Sequence, residues 1–313
     1  MIKRTLYFGN PAYLSKKNNQ LVMRLPEVET NEDLPEAFKK EAVTTIPIED
    51  IGVVLLDHQR IIITQALMDA LLENNVALIS CNGTHHPSGM MLPLDVHHIQ
   101  QERFTHQINA SEPLKKQLWQ QTVKAKILNQ AELLQHCGKN NEKLKHISLG
   151  VRSGDPDNAE GQASYYYWNH LFPETLNFSR KREGDPPNNL LNYGYAILRA
   201  MVARSLAGSG LLPTLGIHHS NKYNAFCLAD DIMEPYRPFV DRIVYQIVID
   251  GKDYKELSTD LKKDLLSLAS VDICFEGEKS PLMVGLQRTT ASLAKCFEGA
   301  NRKISYPEFP ANQ

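Results

Sequence analysis

The rhythm of apolar and polar positions changes once along this chain, near Pro93. Before it, short β-branched or aromatic runs at 5–8 (Thr-Leu-Tyr-Phe), 21–25 (Leu-Val-Met-Arg-Leu) and 51–56 (Ile-Gly-Val-Val-Leu-Leu) are separated by turn residues, which is the pattern of short strands. Asn18-Asn19, between Lys17 and Gln20, reads as a hairpin tip. Ile61, Ala66, Leu67, Ala70 and Leu71 recur at helical spacing and predict a helix over 61–73, with Thr64 as N-cap and Asn74-Asn75 as its stop. Residues 76–80 return to strand. From about residue 97 the segments are long and amphipathic. One runs over 118–134, with Val123, Ile127, Leu128, Ala131 and Leu134 on one face. Another runs over 190–207, with Leu191, Gly194, Tyr195, Leu198 and Val202. A Gly/Pro-containing loop at 181–188 lies between them, and 259–269 and 286–294 complete the helical half. The expected architecture is α+β: a small N-terminal β domain over 1–95, then a larger all-α domain over 96–313.

A chain of 313 residues with 42% hydrophobic content can fill two cores. Its 34 Lys+Arg against 36 Asp+Glu leave a formal charge of −2, so any nucleic-acid face must gather its positive charge locally. Such clusters occur at Lys115-Lys116, Lys124 with Lys126, Lys139 through Lys145, and Arg180-Lys181-Arg182; each taken alone reads as a solvated helix surface. The five cysteines are scattered, odd in number and never in a Cys-x-x-Cys pair, which argues against a disulfide framework and a structural zinc. No apolar run approaches a membrane span and the N-terminus lacks a signal-peptide core, so a cytoplasmic protein is expected.

The chemistry-bearing words are far apart. Asn158-Ala-Glu-Gly-Gln-Ala163 sets Glu160 among small residues, leaving room for a metal and a phosphate backbone to approach. The Tyr165-Tyr-Tyr-Trp168 run that follows fits helix core more commonly than a base-stacking platform. Gly216-Ile-His-His219 is a turn-rich approach ending in two imidazoles, of which at most one normally serves a site because neighbours point apart. In Ala229-Asp-Asp-Ile-Met-Glu234, Asp231 and Glu234 share a face if the segment is helical, and Pro235 and Pro238 make it a helix start or a kinked helix. The same Asp-x-x-Glu spacing also suits a helix N-cap, and spacing does not choose between the two. One imidazole with several carboxylates is raw material for a Mg²⁺ or Mn²⁺ site, the imidazole favouring Mn²⁺. His85-His86 and His97-His98 read as surface residues without matched carboxylates. No nucleophile elbow, Walker A loop or dinucleotide fingerprint is present.

Together these words resemble the CRISPR-associated integrase family, the metal-dependent nucleases of spacer acquisition. The resemblance is carried by Gly210-Leu-Leu-Pro-Thr-Leu-Gly-Ile-His-His219, Ala229-Asp-Asp-Ile-Met-Glu-Pro-Tyr-Arg-Pro238, Asn158-Ala-Glu-Gly161, Arg182-Glu-Gly-Asp-Pro186 and Asn188 through Gly194. Asn82-Gly-Thr-His-His-Pro-Ser-Gly-Met-Met-Leu-Pro93 and Lys126-Ile-Leu-Asn-Gln130 are similar to the type II branch. The resemblance implies a β-sandwich-like N-terminal domain on a helical one. It also implies Glu160, His219 and Glu234 as metal ligands and catalytic residues, and Asp231 as an assisting acidic ligand; the spacing to Gly216 favours His219 over His218. The implied reaction inserts short captured DNA into a CRISPR array, a 3′-hydroxyl attacking a phosphodiester at the repeat edge, with endonuclease activity when water attacks instead. Arg180, Lys181 and Arg182, with Arg152, Lys115 and Lys116, are candidate phosphate contacts. The family works as homodimers bridged by a small ferredoxin-like partner on double-stranded DNA, joined in type II systems by the RNA-guided effector nuclease. Two other readings stand beside this one. In a non-catalytic DNA-binding subunit the acidic cluster would only cap a helix. A metal-dependent hydrolase of small substrates finds no nucleotide- or sugar-reading motif in its support.

Overall fold

The structure is a computed structural model that describes residues 3–309 except 36, 38, 40, 41 and 94–96. The chain divides into two compact units, Met1–Val96 and His97–Gln313; the expected boundary at 95/96 lies outside the described residues. The α+β class holds, a β-rich unit being followed by a helical one.

Among the described residues the first unit has two four-stranded sheets. One has the order β1 (Arg4–Phe8), β5 (Ile51–Leu56), β7 (Ala77–Cys81), β8 (Pro87–Met91), the first two pairings parallel and the last antiparallel. The other has the order β4 (Thr44–Pro47), β3 (Gln20–Arg24), β2 (Tyr13–Lys17), β6 (Ile62–Ile63). Asn18 and Asn19 both have positive φ and form the β2–β3 hairpin tip. A helix, α1 (Gln65–Glu73), starts later than its periodicity suggests, because Ile62 and Ile63 pair in parallel with β2 before the chain turns at Thr64. One apolar core draws on both sheets and on α1: Leu14, Leu21, Ile51, Val54, Leu67, Leu71 and Leu78 are buried in it. The unit is therefore sandwich-like in having two sheets on one core, but its parallel pairings and α1 set it apart from a plain antiparallel sandwich.

The second unit is built from α2 (Gln100–Ile108), α3 (Glu112–His136), α4 (Glu142–Leu149), α5 (Ala159–Leu171), α6 (Asn188–Gly208), α7 (Cys227–Met233), α8 (Arg237–Ile249), α9 (Thr259–Leu266) and α10 (Leu282–Phe297). α6 and α3 are its internal struts. On α6 nearly every residue from Leu190 to Ala207 is buried, and α3 packs against α4, α5 and α8. Because α3 is covered on several sides, its buried set includes the polar Thr122, Lys126, Asn129 and Gln130, while Leu128, expected on the apolar face, is exposed. A hairpin that periodicity does not reveal, β9 (Asp272–Phe275) and β10 (Glu278–Pro281), turns through Glu276 and Gly277, both at positive φ, and lies before α10. All five cysteines are free.

Candidate active site

Three segments and α3 build the site. At the start of α5, Asp155 accepts from the backbone N–H groups of Ala159 (2.8 Å) and Glu160 (3.0 Å), and the Asn158 side chain accepts from Gly161 N–H at 3.1 Å. These caps satisfy the free donors of the helix end and fix where Glu160 projects. Its carboxylate also accepts from Ser164 Oγ at 3.3 Å.

The second segment is continuous. α7 passes through a single 3₁₀ turn at Glu234–Tyr236 into α8, with Pro235 and Pro238 each in the first turn of its element, where no N–H is needed. Asp231 lies inside α7, so the capping reading of Asp-x-x-Glu fails: the helix begins at Cys227. Glu234 is buried, and Arg237 Nε donates to its Oε1 at 2.7 Å.

The two glutamates meet on one cation. Lys126 Nζ, from the middle of α3, lies 2.6 Å from Glu234 Oε2 and also donates to Glu160 Oε1. Lys126 is only 6% exposed, whereas composition placed it with Lys124 on a solvated surface. Burial by itself lowers the Lys126 pKa, but the Glu234 and Glu160 charges outweigh it and the net direction is up. Burial likewise raises Glu234, yet Arg237 and Lys126 bring it down to about 2. The carboxylate is thus held ionised inside the protein by two flanking cations.

The third segment is the loop before α7. Asp231, fully buried, accepts from the backbone N–H groups of Ile217 (2.7 Å), His218 (3.0 Å) and His219 (3.2 Å), and from His219 Nδ1 at 2.5 Å. Its oxygens are engaged in shaping the loop and orienting one ring. With Nδ1–H donating, Nε2 is the His219 nitrogen left for a metal, the arrangement in which a carboxylate supports a histidine ligand. A side chain at Gly216 would meet His219 O at 2.2 Å and Asp231 Oδ2 at 2.8 Å, so the loop admits only glycine there. The neighbouring His218 is occupied otherwise: its ring stacks on Trp119 at 4.1 Å, while His219 meets the same indole edge-on at 5.7 Å. Hydrogen bonding to Asp231 raises the His219 pKa, and burial lowers that of His218.

Lys126, Glu160, Glu234 and Arg237 line a cavity of about 220 Å³ together with Gln130, Ser164, Trp168, Arg180, Tyr195 and Asp241. Among the described residues no three His, Cys, Asp or Glu side chains are gathered tightly enough to enclose a metal. The donor set nevertheless fits a hard divalent cation: two carboxylates already converge on a single positive charge, and Mg²⁺ is commonly held by one or two carboxylates plus waters and substrate phosphate. Of the residues lining this cavity, Glu160 and Glu234 are the ones that would hold it; His219, whose pKa the Glu234 charge also raises, is not among them.

The candidate phosphate contacts separate. Arg180 lines the cavity, braced by Asn188 and Asn192 at 2.9 Å each and lying over the Tyr195 ring at 5.4 Å. Lys181 and Arg182 are exposed beside it. Arg152 is clamped by both oxygens of Asp157, and Lys115 pairs with Glu112 at 3.1 Å; Lys116 is exposed. None of these last three lines the cavity. In the tyrosine run, Tyr165 is exposed, Tyr166 stacks on His170, and Tyr167 is buried with its hydroxyl donating to Asp241 at 2.8 Å. His85, expected to lack a carboxylate, has one: its Nδ1 lies 2.9 Å from the buried Asp57, which also accepts from the Tyr7 hydroxyl at 2.7 Å. Sequence reasoning missed the site roles of Lys126, Arg237 and Trp119. The available signal was a lysine and a glutamine one turn apart, at 126 and 130, on either side of Ile127 and Leu128, and an arginine one turn after Glu234.

The profile of the family described as CRISPR associated protein Cas1 matches residues 6–263. The chain is 37% identical over 267 residues to the CRISPR-associated endonuclease Cas1 of Neisseria meningitidis serogroup C (strain 8013), covering 84% of this chain and 87% of that one. Among solved structures, a casposase bound to integration product superposes with a TM-score of 0.76 at 18% identity, over 97% of this chain and 93% of that one. A chain of a Cas6-RT-Cas1–Cas2 complex superposes with a TM-score of 0.71 at 20% identity, over 98% of this chain and 36% of that one.

Proposed function

Because this chain belongs to the Cas1 family, we propose that it is a metal-dependent DNA endonuclease and integrase that inserts short captured DNA into a CRISPR array. The observation that carries this reading is the convergence of Glu160 and Glu234 on one buried cation, at the wall of a cavity also lined by Arg180 and Arg237. The name of the Neisseria relative and the integration product of the casposase point to the same chemistry.

A divalent cation held by Glu160, Glu234 and His219 would withdraw charge from the scissile phosphate and favour the incoming 3′-oxygen. The remaining work falls to the chain. Asp155 and Asp231 hold Glu160 and His219 in place through backbone and ring hydrogen bonds. Arg180, stiffened by Asn188 and Asn192, and Arg237 face the cavity as guanidiniums suited to phosphate oxygens. In the joining reaction the 3′-hydroxyl of the captured strand loses its proton and forms a new bond to phosphorus. The P–O3′ bond of the target strand breaks and its leaving oxygen takes up a proton in exchange, so that this strand of the array ends in a 3′-hydroxyl. With water as nucleophile the same geometry gives a nick.

The working assembly we infer is a homodimer bridged by a small ferredoxin-like partner on double-stranded DNA, with the type II effector nuclease as a further participant; the occurrence of this fold in a Cas6-RT-Cas1–Cas2 complex supports a larger assembly. No helix among the described residues is long and apolar enough to cross a membrane, and we place the protein in the cytoplasm. One observation favours a second reading, a non-catalytic DNA-binding subunit: Lys126 already balances the carboxylates on which a metal would depend. A plasmid-nicking assay in Mn²⁺ or EDTA separates the two. Nicking by wild type that EDTA and Glu160→Ala abolish supports the nuclease. DNA binding indifferent to Mn²⁺ and to Glu160→Ala, without cleavage, supports the scaffold.

A further inference from the structure

Lys126 stands where a cation shared by Glu160 and Glu234 must stand. Its ammonium contacts one oxygen of each carboxylate. A divalent ion bound to those same oxygens at about 2.0–2.1 Å would overlap it in space and repel it by charge. The lysine cannot retreat far, since it projects from the middle of α3, a helix of 25 residues packed on several sides. One turn further along that helix, Gln130 lines the same cavity; it is 2% exposed, and among the described residues its Oε1 has no hydrogen-bond partner. A buried amide oxygen left unpaired costs about 1–3 kcal/mol, so it is a ready acceptor for any donor within reach. Helical side chains lean toward the N-terminus, which brings the side chain of residue i+4 back over residue i. Gln130 is thereby set above Lys126.

We propose that Lys126 is a built-in competitor for the metal: its ammonium cross-links Glu160 and Glu234 until a divalent cation displaces it onto Gln130 Oε1, from where it faces the same cavity as Arg180 and Arg237. The inference rests on the nuclease reading above and adds a positioning role for two residues that are not ligands. It accounts for two features together. Two glutamates are held close despite their like charge, and a glutamine oxygen is buried with nothing to accept.

The test is calorimetric titration of the purified full chain with Mn²⁺ alone. Lys126→Met, which keeps length and apolar bulk but removes the competing charge, is expected to bind Mn²⁺ about tenfold or more tightly than wild type. Lys126→Arg keeps the charge and is expected to bind no more tightly than wild type. Gln130→Leu removes the acceptor for the displaced ammonium and is expected to weaken Mn²⁺ binding several-fold. A lysine with a merely structural role would give a Met variant with unchanged or weaker affinity, and that result overturns the inference. Should Lys126→Met fail to fold, Gln130→Leu decides alone: wild-type affinity in that variant overturns the proposal. Mn²⁺ binding by wild type with no gain in Lys126→Met refutes only this inference, whereas no binding by any protein refutes the nuclease reading with it.

Discussion

Two buried carboxylates line one cavity, seven residues apart on a continuous helical segment, and their acidities are pushed in opposite directions. Glu234 is held down to about 2 and Asp241 is pushed up to about 6. Burial raises both, so desolvation is not what separates them. Glu234 has Arg237 and Lys126 within contact, two full charges that outweigh the loss of water. Asp241 accepts instead from two phenols, Tyr195 at 2.5 Å and Tyr167 at 2.8 Å, and their hydrogen bonds, with weaker help from the Arg237 and Arg180 charges, favour the ionised form but do not offset its burial. One wall of the cavity is therefore ionic and suited to multivalent charge, while the other is a hydrogen-bonded brace. The partner decides the role.

The comparison breaks most sharply at the ionic wall. Glu234→Ala leaves the buried Lys126 with Glu160 as its counter-charge and takes the carboxylate partner from the half-buried Arg237, so the variant is expected to lose about 3 kcal/mol of stability, read from its urea midpoint. In the milder Glu234→Gln, which keeps the shape, plasmid nicking is expected to fall by at least about 10²–10³-fold.

The brace should respond to pH instead. The folded protein binds the Asp241 proton more tightly than the unfolded chain does, whose aspartates titrate near 4. The stability that this proton confers is thus complete below about pH 4 and lost as pH rises through about 6. Asp241→Asn stays neutral throughout. Measured against wild type by denaturant unfolding, it is expected to gain about 2 kcal/mol in relative stability between about pH 4 and about pH 7. A pH-independent difference would mean that Asp241 is ionised like Glu234.

Smaller effects sharpen the picture. Asp231→Asn replaces one of the two oxygens that accept from the 217–219 backbone and the His219 ring with a donor, and nicking is expected to drop about 10–100-fold with Mn²⁺ affinity. Arg180→Ala should weaken duplex binding only a few-fold, but should lower the slope of log affinity against log salt by about 0.9. The exposed Lys116→Ala should alter that slope less, because Lys116 does not line the cavity.

How much of this was legible in the sequence depended on range. Local signals carried well: the Asn18-Asn19 tip, the strand at 51–56 and the helices around 118–134 and 190–207 occur where periodicity puts them, with ends extended by a few residues. Short-range patterns misled where tertiary pairing intervened. Ile62 and Ile63 fall inside the helix that periodicity predicts over 61–73 but are drawn into a strand beside β2. β10, Glu-Lys-Ser-Pro, has no apolar alternation at all and pairs because the Glu276-Gly277 turn folds it onto β9. At the site, the acidic and histidine words were visible as a family resemblance, and the engagement of Asp231 with the 217–219 backbone was not. Lys126 is the clearest limit. A lysine near other lysines reads as solvated surface, and only the packing of α3 against α5 and the Glu234–Tyr236 turn reveals it as the counter-charge of two glutamates.

The most direct measurement is a single-turnover joining assay with the purified chain, its small acquisition partner and a plasmid bearing a CRISPR array. Short duplexes would carry either 3′-hydroxyl or 3′-deoxy ends, in Mn²⁺ or EDTA, with wild type and Glu160→Ala. The account expects covalent joining only where wild type, Mn²⁺ and a 3′-hydroxyl coincide. Joining that survives EDTA or Glu160→Ala, or wild-type protein that binds both DNAs yet neither cuts nor joins them, would contradict it.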